Sequence, residues 1–216
     1  MANEQYRDVR ELNPLVQVML KLAIADIVKQ GVAPLIIETY RSQERQNMLY
    51  CQGRTIGEVV AKGINGTFAR AYCNPKGGKV TWTLNSVHKS RKAVDVIPQR
   101  NGKAIWNTND SQTQIIIKTM QKYGFEAGAN WKTTPDSPHF QVKGDFKKEF
   151  CKDHTTIYVT RAIQERLNKR DCNNLKVDGI WGAATTEAVN RFRQCKGYKN
   201  PNNGKLGAVA LRDLFA

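Results

Sequence analysis

The sequence predicts an α+β domain, with an antiparallel sheet and flanking helices, over residues 1–150 and a small three-helix domain over residues 155–216. Three observations support this fold class. An apolar pattern at helical spacing lies near the N-terminus, short strand-like runs alternate with helical segments through the first domain, and three short helical patterns fill the second. A chain of 216 residues has room for one medium and one small domain.

The first predicted domain begins with an amphipathic helix over residues 13–30, for which Asn13 is a suitable cap and Pro14 suits the first turn. A stretch rich in Gly, Asn and Lys over residues 53–80 is interpreted as a long excursion near the functional site. The remaining elements are expected as strands at 35–40, 81–83, 93–97 and 140–142 and as helices at 42–51 and 115–123.

The second predicted domain is a compact bundle of three short helices. These helices are expected at residues 160–169, 185–194 and 206–215. Thr160 and Thr185 are the expected caps of the first two helices, and residues 177–182 form a turn between them. The expected small core contains Leu167, Ile180, Trp181, Phe192 and Leu214.

The chain is strongly basic, with 34 Lys and Arg against 19 Asp and Glu, a net charge of +15. Such a charge favours a polyanionic partner: a nucleic acid, a membrane surface or an anionic cell-wall polymer. Both predicted domains are basic, so the charge is not confined to a tail. The alternative is that the excess charge only aids solubility. A nucleic acid is not expected, because the sequence contains no recognised nucleic-acid-binding motif.

The five cysteines are odd in number and show no Cys-x-x-Cys spacing. This argues against a complete disulfide framework and against a cysteine-based zinc site. Spacing leaves open a pairing of Cys51 with Cys73 and of Cys172 with Cys195, but free thiols are expected. The sequence contains no long apolar run and no signal peptide. We therefore expect a protein held in a cytoplasm, which another factor must release if it acts elsewhere.

The strongest chemical signal is a spaced set of polar residues. Its members are Ser86, His88, Ala93, Asp95, Asp136 and His139. Two imidazoles and one carboxylate are a common ligand set for catalytic zinc, which keeps a fourth position open for water. The chain has three histidines, and two of them fall in this set. His154, the third, lies in the predicted linker and is expected to be solvated.

The pattern also suggests a mechanism of metal-assisted hydrolysis. Strand periodicity would place Ser86 on the same face as His88, where it would support the ligand. Asp136, beside the metal, would accept a proton from zinc-activated water and pass it to the leaving amine. Arg41 would anchor the developing oxyanion or a substrate carboxylate. The alternatives are that Asp136 only caps a turn and that Arg41 only forms a surface ion pair.

Several short motifs together resemble the VanY-type zinc peptidases of the lysostaphin/D-Ala-D-Ala metallopeptidase/hedgehog superfamily, and more closely the L-alanyl-D-glutamate endopeptidases of phage endolysins. The motifs are Tyr40-Arg41-Ser42, residues 49–55, Ser86-Val87-His88, Ala93-Val94-Asp95, Gly124-Phe125-Glu126, Asn130-Trp131-Lys132 and residues 136–140. The resemblance implies zinc ligands at His88, Asp95 and His139, a catalytic carboxylate at Asp136 and a substrate-binding arginine at Arg41.

The chain departs from the family pattern at three places. Residues 55–82 form a longer stretch than in compact relatives, which affects the expected substrate specificity. Lys89-Ser90-Arg91 follows His88 where relatives often have glycine, and Gln141 stands where many have glutamate. None of these departures removes a ligand, so activity is expected.

The C-terminal segment is similar to the small helical peptidoglycan-binding domain. The match lies in Ile163-Gln164, Leu167-Asn168, residues 177–182, Thr185, Ala188-Val189 and Phe192. The resemblance implies that residues 155–216 hold the enzyme on its polymer. The alternative is a helical appendix that only stabilises the first domain.

Together these features predict a monomeric cell-wall lysin with one Zn²⁺ that cuts the L-Ala–D-Glu bond of peptidoglycan. Its partners would be peptidoglycan and an anionic envelope surface, without stable membrane insertion. The family resemblance implies storage in the host cytoplasm until a holin opens the membrane, and then action on the cell wall or in the periplasm. The rival functions are a D-Ala-D-Ala carboxypeptidase or dipeptidase, a non-catalytic wall-binding protein with a structural metal, and a nucleic-acid binder.

Overall fold

The computed structural model describes residues 2–142, 149–171 and 174–216. The chain forms two compact units. The first unit contains Met1–Leu12 and Ile36–Asp95, and the second contains Asn13–Leu35 and Val96–Ala216. The predicted division into residues 1–150 and 155–216 stays a prediction.

A five-stranded sheet is the centre of the fold. Its strands are β1 (Ala33–Glu38), β2 (Ala93–Arg100), β3 (Lys103–Ala104), β4 (Glu126–Ala127) and β5 (His139–Gln141). The order is β1-β2-β5-β4, with β3 paired to β2. The β2–β3 and β4–β5 pairs are antiparallel. The predicted α+β class, with an antiparallel sheet and flanking helices, is confirmed.

Strand β2 supplies the most buried part of the sheet. Its first six residues are all buried, as expected for a strand covered on both faces. The Val96 N–H donates to the Pro138 carbonyl over 2.8 Å. Because Asp95 precedes Val96 and His139 follows Pro138, this hydrogen bond sets two polar side chains of adjacent strands close together.

Helix α1 (Pro14–Lys29) begins as the sequence predicts. The Asn13 side chain accepts a hydrogen bond from the Leu15 N–H over 3.0 Å, and Pro14 occupies the first turn. The helix buries one apolar face and packs within the second unit against α5 (Ser111–Lys122). Helix α5 begins earlier than predicted because Asp110 caps it, accepting from the Gln112 N–H.

Among its described residues, the first unit contains the α-helices α2 (Gln43–Cys51), α3 (Ile56–Val60) and α4 (Gly66–Tyr72). The predicted excursion over residues 53–80 therefore has secondary structure, and it shares a small apolar core with α2. This core contains Tyr50, Cys51, Val59, Ile64 and Ala69. Helix α3 begins at a capping box, in which Thr55 and Glu58 each bond the other's backbone N–H.

Two predictions about the segment before β2 are wrong. Residues 81–83 do not form a strand; buried side chains hold them in an irregular conformation. Ser86 and His88 do not share a strand face, because Val87–Ser90 is a 3₁₀ turn. The Ser86 hydroxyl caps this turn by accepting from the His88 N–H over 3.3 Å, which is the competing local use of serine.

The C-terminal part contains the three predicted helices, α6 (Ile157–Asp171), α7 (Ala183–Cys195) and α8 (Ala208–Phe215). Before and between them, β6 (Glu149–Phe150) pairs antiparallel with β7 (Leu206–Gly207).

The predicted cap residues of this part are wrong. Thr160 and Thr185 lie inside α6 and α7 and are buried. Thr185 instead donates to the Ile180 carbonyl and accepts from Gln164. Four of the five predicted core residues are buried, but Ile180 is 66% exposed, because the turn carrying it directs its backbone, not its side chain, into the bundle.

Cys51, Cys73, Cys151 and Cys195 are free thiols. Cys172 lies outside the described residues, so its suggested pairing with Cys195 is untested by the structure. Burial, followed by a hydrogen bond with Cys73, raises the pKa of the Cys51 thiol to about 12. In the described part of the chain, no helix has the length and apolarity needed to cross a membrane.

We predict that the folded protein protects Cys51 from alkylation. The thiolate is the reactive form, and a raised pKa leaves little of it at neutral pH. Iodoacetamide followed by peptide mass spectrometry should label the exposed Cys195 quickly and Cys51 only after unfolding. Equal labelling rates at Cys51 and Cys195 in the folded protein would contradict this expectation.

Candidate metal centre

The structure brings together the three side chains that the sequence predicts as ligands. His88 lies on the 3₁₀ turn, Asp95 is the third residue of β2 and His139 is the first residue of β5. Their donor atoms all lie within 4.8 Å of one another. All three residues are buried, with exposed fractions of 0%, 9% and 6%.

The backbone fixes the protonation of the His88 ring. Its Nδ1 lies 2.7 Å from the Thr39 carbonyl oxygen. Because a carbonyl oxygen only accepts hydrogen bonds, Nδ1 must carry the proton and donate it. The other nitrogen, Nε2, lies 3.0 Å from Asp95 Oδ1. In the neutral ring, a lone pair of Nε2 therefore faces a carboxylate oxygen.

The spacing of these two atoms shows whether a metal ion can fit between them. A neutral imidazole nitrogen and a carboxylate oxygen repel at this distance unless a proton or another cation lies between them. Two ligands of a tetrahedral zinc ion, each about 2.0–2.1 Å from it, lie about 3.3 Å apart. The pair therefore needs only a small adjustment to accept zinc, and the donor set of two His and one Asp fits this ion.

Neighbouring side chains fix the His139 ring in a similar way. Glu126 Oε2 accepts a hydrogen bond from Gln141 Nε2 over 2.8 Å, which turns the Gln141 oxygen toward His139. His139 Nε2 lies 3.1 Å from that oxygen and donates to it. Nδ1 is then the nitrogen with a lone pair for a metal. Trp131 completes the arrangement by donating to the second Glu126 oxygen over 3.2 Å.

The antiparallel register explains how Gln141 and Glu126 meet, since these residues are direct partners across β4 and β5. Sequence reasoning assigned neither of them a role in orienting His139. The available signal was weak: Gln141 lies two residues after a predicted ligand, and so on the same strand face.

Asp136 lies in an exposed turn immediately before β5. Its N–H donates to the Gly128 carbonyl over 3.0 Å, and its own carbonyl accepts from the His139 N–H over 3.2 Å. A Cβ on Gly128 would lie 2.6 Å from the Asp136 carbonyl oxygen and 3.1 Å from the His139 Cβ. The close approach therefore requires glycine, a requirement that the sequence pattern did not reveal.

Arg41 is largely buried, and its side chain is 12% exposed. Its Nε and Nη2 both donate to Glu38 Oε2, and Nη1 donates to Gln46 Oε1 over 3.1 Å. Nη2 also donates to Asp95 Oδ2 over 3.3 Å. Arg41 is therefore not a surface ion pair, since it contacts the carboxylate whose other oxygen faces His88.

Glu38 is a buried acidic residue that sequence reasoning missed. It is 2% exposed and forms ion pairs with both Arg41 and Arg45. A buried carboxylate between two guanidinium groups is compensated for its lost hydration, and it fixes the position of Arg41. The sequence feature that could have indicated this role of Glu38 is an acidic residue at the end of an apolar strand, followed by two nearby arginines.

Comparisons with known proteins agree with this chemistry. Residues 79–142, which include all three clustered side chains and Asp136, match the M15 peptidase family model described as D-alanyl-D-alanine carboxypeptidase. The chain is 29% identical over 140 residues to the peptidoglycan L-alanyl-D-glutamate endopeptidase CwlK of Bacillus subtilis. That alignment covers 61% of this chain and 74% of the relative.

Three solved structures also show similarity. The L-Ala D-Glu endopeptidase ChiX of Serratia marcescens is 23% identical with a TM-score of 0.43, covering 66% of this chain and 89% of that one. The LD-carboxypeptidase LdcB is 21% identical with a TM-score of 0.43, covering 60% and 58%. The vancomycin-resistance D,D-pentapeptidase VanY, solved with Zn(II), is 21% identical with a TM-score of 0.40, covering 67% and 76%.

Replacing Gly128 with alanine should destabilise the protein by about 1–3 kcal/mol, because the added methyl group overpacks the turn that carries Asp136. Urea unfolding followed by circular dichroism measures this loss. Gly57→Ala is the matched control, since a Cβ there has no neighbour within 4 Å. A stability loss that is equal in both variants would contradict the proposed role of Gly128.

Replacing Gln141 with leucine should weaken zinc binding by about 10–100-fold, because His139 loses the acceptor that fixes its ring. Competition with a chromophoric zinc chelator measures the affinity. Gln121→Leu, on the exposed face of α5, serves as the control. Unchanged affinity in Gln141→Leu would show that this hydrogen bond does not orient the ligand.

Proposed function

We propose that this chain is a zinc metallopeptidase of the VanY-type superfamily, and that it is a peptidoglycan hydrolase that cleaves the L-Ala–D-Glu bond of the stem peptide. The substrate class follows from the peptidoglycan-acting relative. The choice among bonds follows from the hydrogen bonds of Arg41.

We assign one Zn²⁺ to His88, Asp95 and His139. When bound, zinc would lower the pKa of a water molecule and polarise the substrate carbonyl. The protein contributes fixed imidazole orientations, because the Thr39 carbonyl and the Gln141 side chain each accept from the ring nitrogen that does not face the metal.

Asp136 is our candidate for the general base. Its carboxylate accepts the proton of the attacking water and then delivers it to the leaving amine of D-Glu. Two backbone hydrogen bonds join its turn to Gly128 and His139, so the backbone that carries the base is fixed relative to one ligand. The exposure of Asp136 gives water and substrate access to it.

The observation that most favours an endopeptidase is the number of donors Arg41 retains. A guanidinium has five N–H donors, and four of them are used by Glu38, Gln46 and Asp95. One N–H on Nη1 has no acceptor among the described residues. A single donor suits one peptide carbonyl oxygen, on which negative charge develops during attack.

The rival D-Ala-D-Ala carboxypeptidase needs to recognise a free substrate carboxylate. Arginine does this best with two parallel N–H donors. In Arg41, Nε and Nη2 both donate to Glu38. These two parallel donors are therefore not available to a substrate carboxylate. We therefore assign Arg41 to the oxyanion, and we place the carboxypeptidase second despite the description of the matching family model.

We further propose that residues 155–216 form a wall-binding domain that tethers the enzyme to peptidoglycan. Tethering raises the effective substrate concentration at the catalytic site. The net charge of +15 favours adsorption to an anionic envelope. A non-catalytic wall-binding protein is less favoured, because a structural metal site does not require a carboxylate like that of Asp136 beside it.

The biological setting that we propose is phage lysis. The enzyme, a monomer, would be stored in the host cytoplasm and reach the cell wall after a holin opens the membrane. This step rests on the resemblance to phage endolysins. It predicts that the purified protein lyses cells only when it has access to the wall from the periplasmic side.

Mass spectrometry of fragments released from purified peptidoglycan tests the proposed bond. Zinc-loaded protein should release fragments with new D-Glu amino termini, and chelated protein and Asp136→Ala should not. Asp153→Ala, an exposed aspartate, is the matched control and should retain activity. A synthetic stem peptide should be cut equally with a free or an amidated C-terminus. Release of terminal D-Ala alone, abolished by amidation, would establish the carboxypeptidase instead.

A further inference from the structure

Trp82 is an exposed aromatic residue on a segment that buried side chains hold in place. It is 62% exposed, so the face of its ring is accessible to a ligand. The adjacent backbone is nevertheless anchored on both sides. Arg54 Nη2 donates to the Thr81 carbonyl over 2.9 Å, and Gln46 Nε2 donates to the Thr83 carbonyl over 2.6 Å.

Both anchoring side chains are buried, with 7% exposure for Arg54 and 0% for Gln46. Arg54 is itself fixed, because it donates to the Tyr50 carbonyl over 2.6 Å and stacks on the Tyr50 ring. The segment around Trp82 is therefore held in one conformation, which is unlike an exposed tryptophan on an unrestrained loop.

The Gln46 side chain, which holds the backbone next to Trp82, also contacts the proposed substrate-binding residue Arg41. The oxygen of the Gln46 amide accepts from Arg41, while its nitrogen holds Thr83. Arg41 in turn contacts Asp95. One buried amide group therefore separates the backbone next to Trp82 from the arginine assigned to the oxyanion. Because Trp82 is exposed and a single side chain separates its neighbouring backbone from Arg41, we take the Trp82 segment as the rim of the same site.

The proposed bond explains why an aromatic ring is useful at this rim. In peptidoglycan, L-Ala is joined directly to the lactyl group of muramic acid, so only one residue and this short lactyl group separate the scissile carbonyl from the sugar ring. One extended residue spans only about 3.3–3.6 Å. An enzyme that cuts after L-Ala must therefore accommodate the sugar ring close to the catalytic site.

We propose that Trp82 is a specificity-determining residue that stacks against the muramic sugar ring and selects stem peptides attached to glycan. The aliphatic C–H groups on one face of a pyranose are weakly positive, and the face of an indole ring is negative. This proposal rests on the proposed L-Ala–D-Glu endopeptidase. It assigns the rigid rim segment to recognition of the group on the amino side of the cleaved bond.

Two soluble substrates test the proposal: a muramoyl peptide, and the same peptide with an acetyl group in place of the sugar. Wild-type enzyme should cleave the muramoyl peptide with the higher kcat/KM. Trp82→Ala should reduce kcat/KM on the muramoyl peptide about 5–10-fold and leave that on the acetyl peptide unchanged. Trp82→Phe should retain most of the preference, because it keeps an aromatic face.

Trp106→Ala is the matched control, because Trp106 has the same exposure of 62%. It should leave both substrates unaffected, and zinc content and Tm should match wild type in every variant. An equal loss on both substrates, or no sugar preference in the wild type, overturns the role of Trp82. Cleavage of neither substrate by the zinc-loaded wild type overturns the proposed endopeptidase itself, and the role of Trp82 with it.

Discussion

The opposition between His88 Nε2 and Asp95 Oδ1, 3.0 Å apart, is the constraint on which the rest of the site depends. The Thr39 carbonyl requires the ring proton on Nδ1, so the neutral ring directs a lone pair at a carboxylate. Such an arrangement requires a proton or a metal ion between the two groups. The burial of both residues strengthens this requirement, since charges interact more strongly away from bulk solvent.

The surrounding polar network holds these groups and connects them to the surface. Arg41 balances the charge of Asp95 from the side away from His88, and Glu38 balances Arg41. The ion pair between Arg41 and Glu38 compensates the buried negative charge of Glu38. Gln46 then links Arg41 to the backbone beside Trp82. The same contacts thus orient a metal ligand, limit the free donors of Arg41 and fix the rim of the site.

The sequence predicted features that depend on local chemistry or on residue type. Asn13 and Pro14 predicted the start of α1 because a cap and an N-terminal proline act within one turn. The three candidate ligands could be selected, and their clustering expected, because few other residue types bind zinc. Gly128 and the Glu126–Gln141 pair were missed, since their roles depend on strand register and on backbone contact between distant residues. The prediction that Ser86 and His88 share a strand was wrong, because the Ser86 side chain caps a local turn in competition with strand pairing.

The most direct test of this account is calorimetric titration of the zinc-free protein with Zn²⁺. The protein should bind one zinc ion per chain, with proton release limited to groups that must deprotonate on binding. His88→Ala, Asp95→Ala and His139→Ala should each abolish tight binding, and His154→Ala should bind as the wild type does. Absence of binding, or binding that survives loss of His88 or His139, would contradict the claim that these residues form a metal centre.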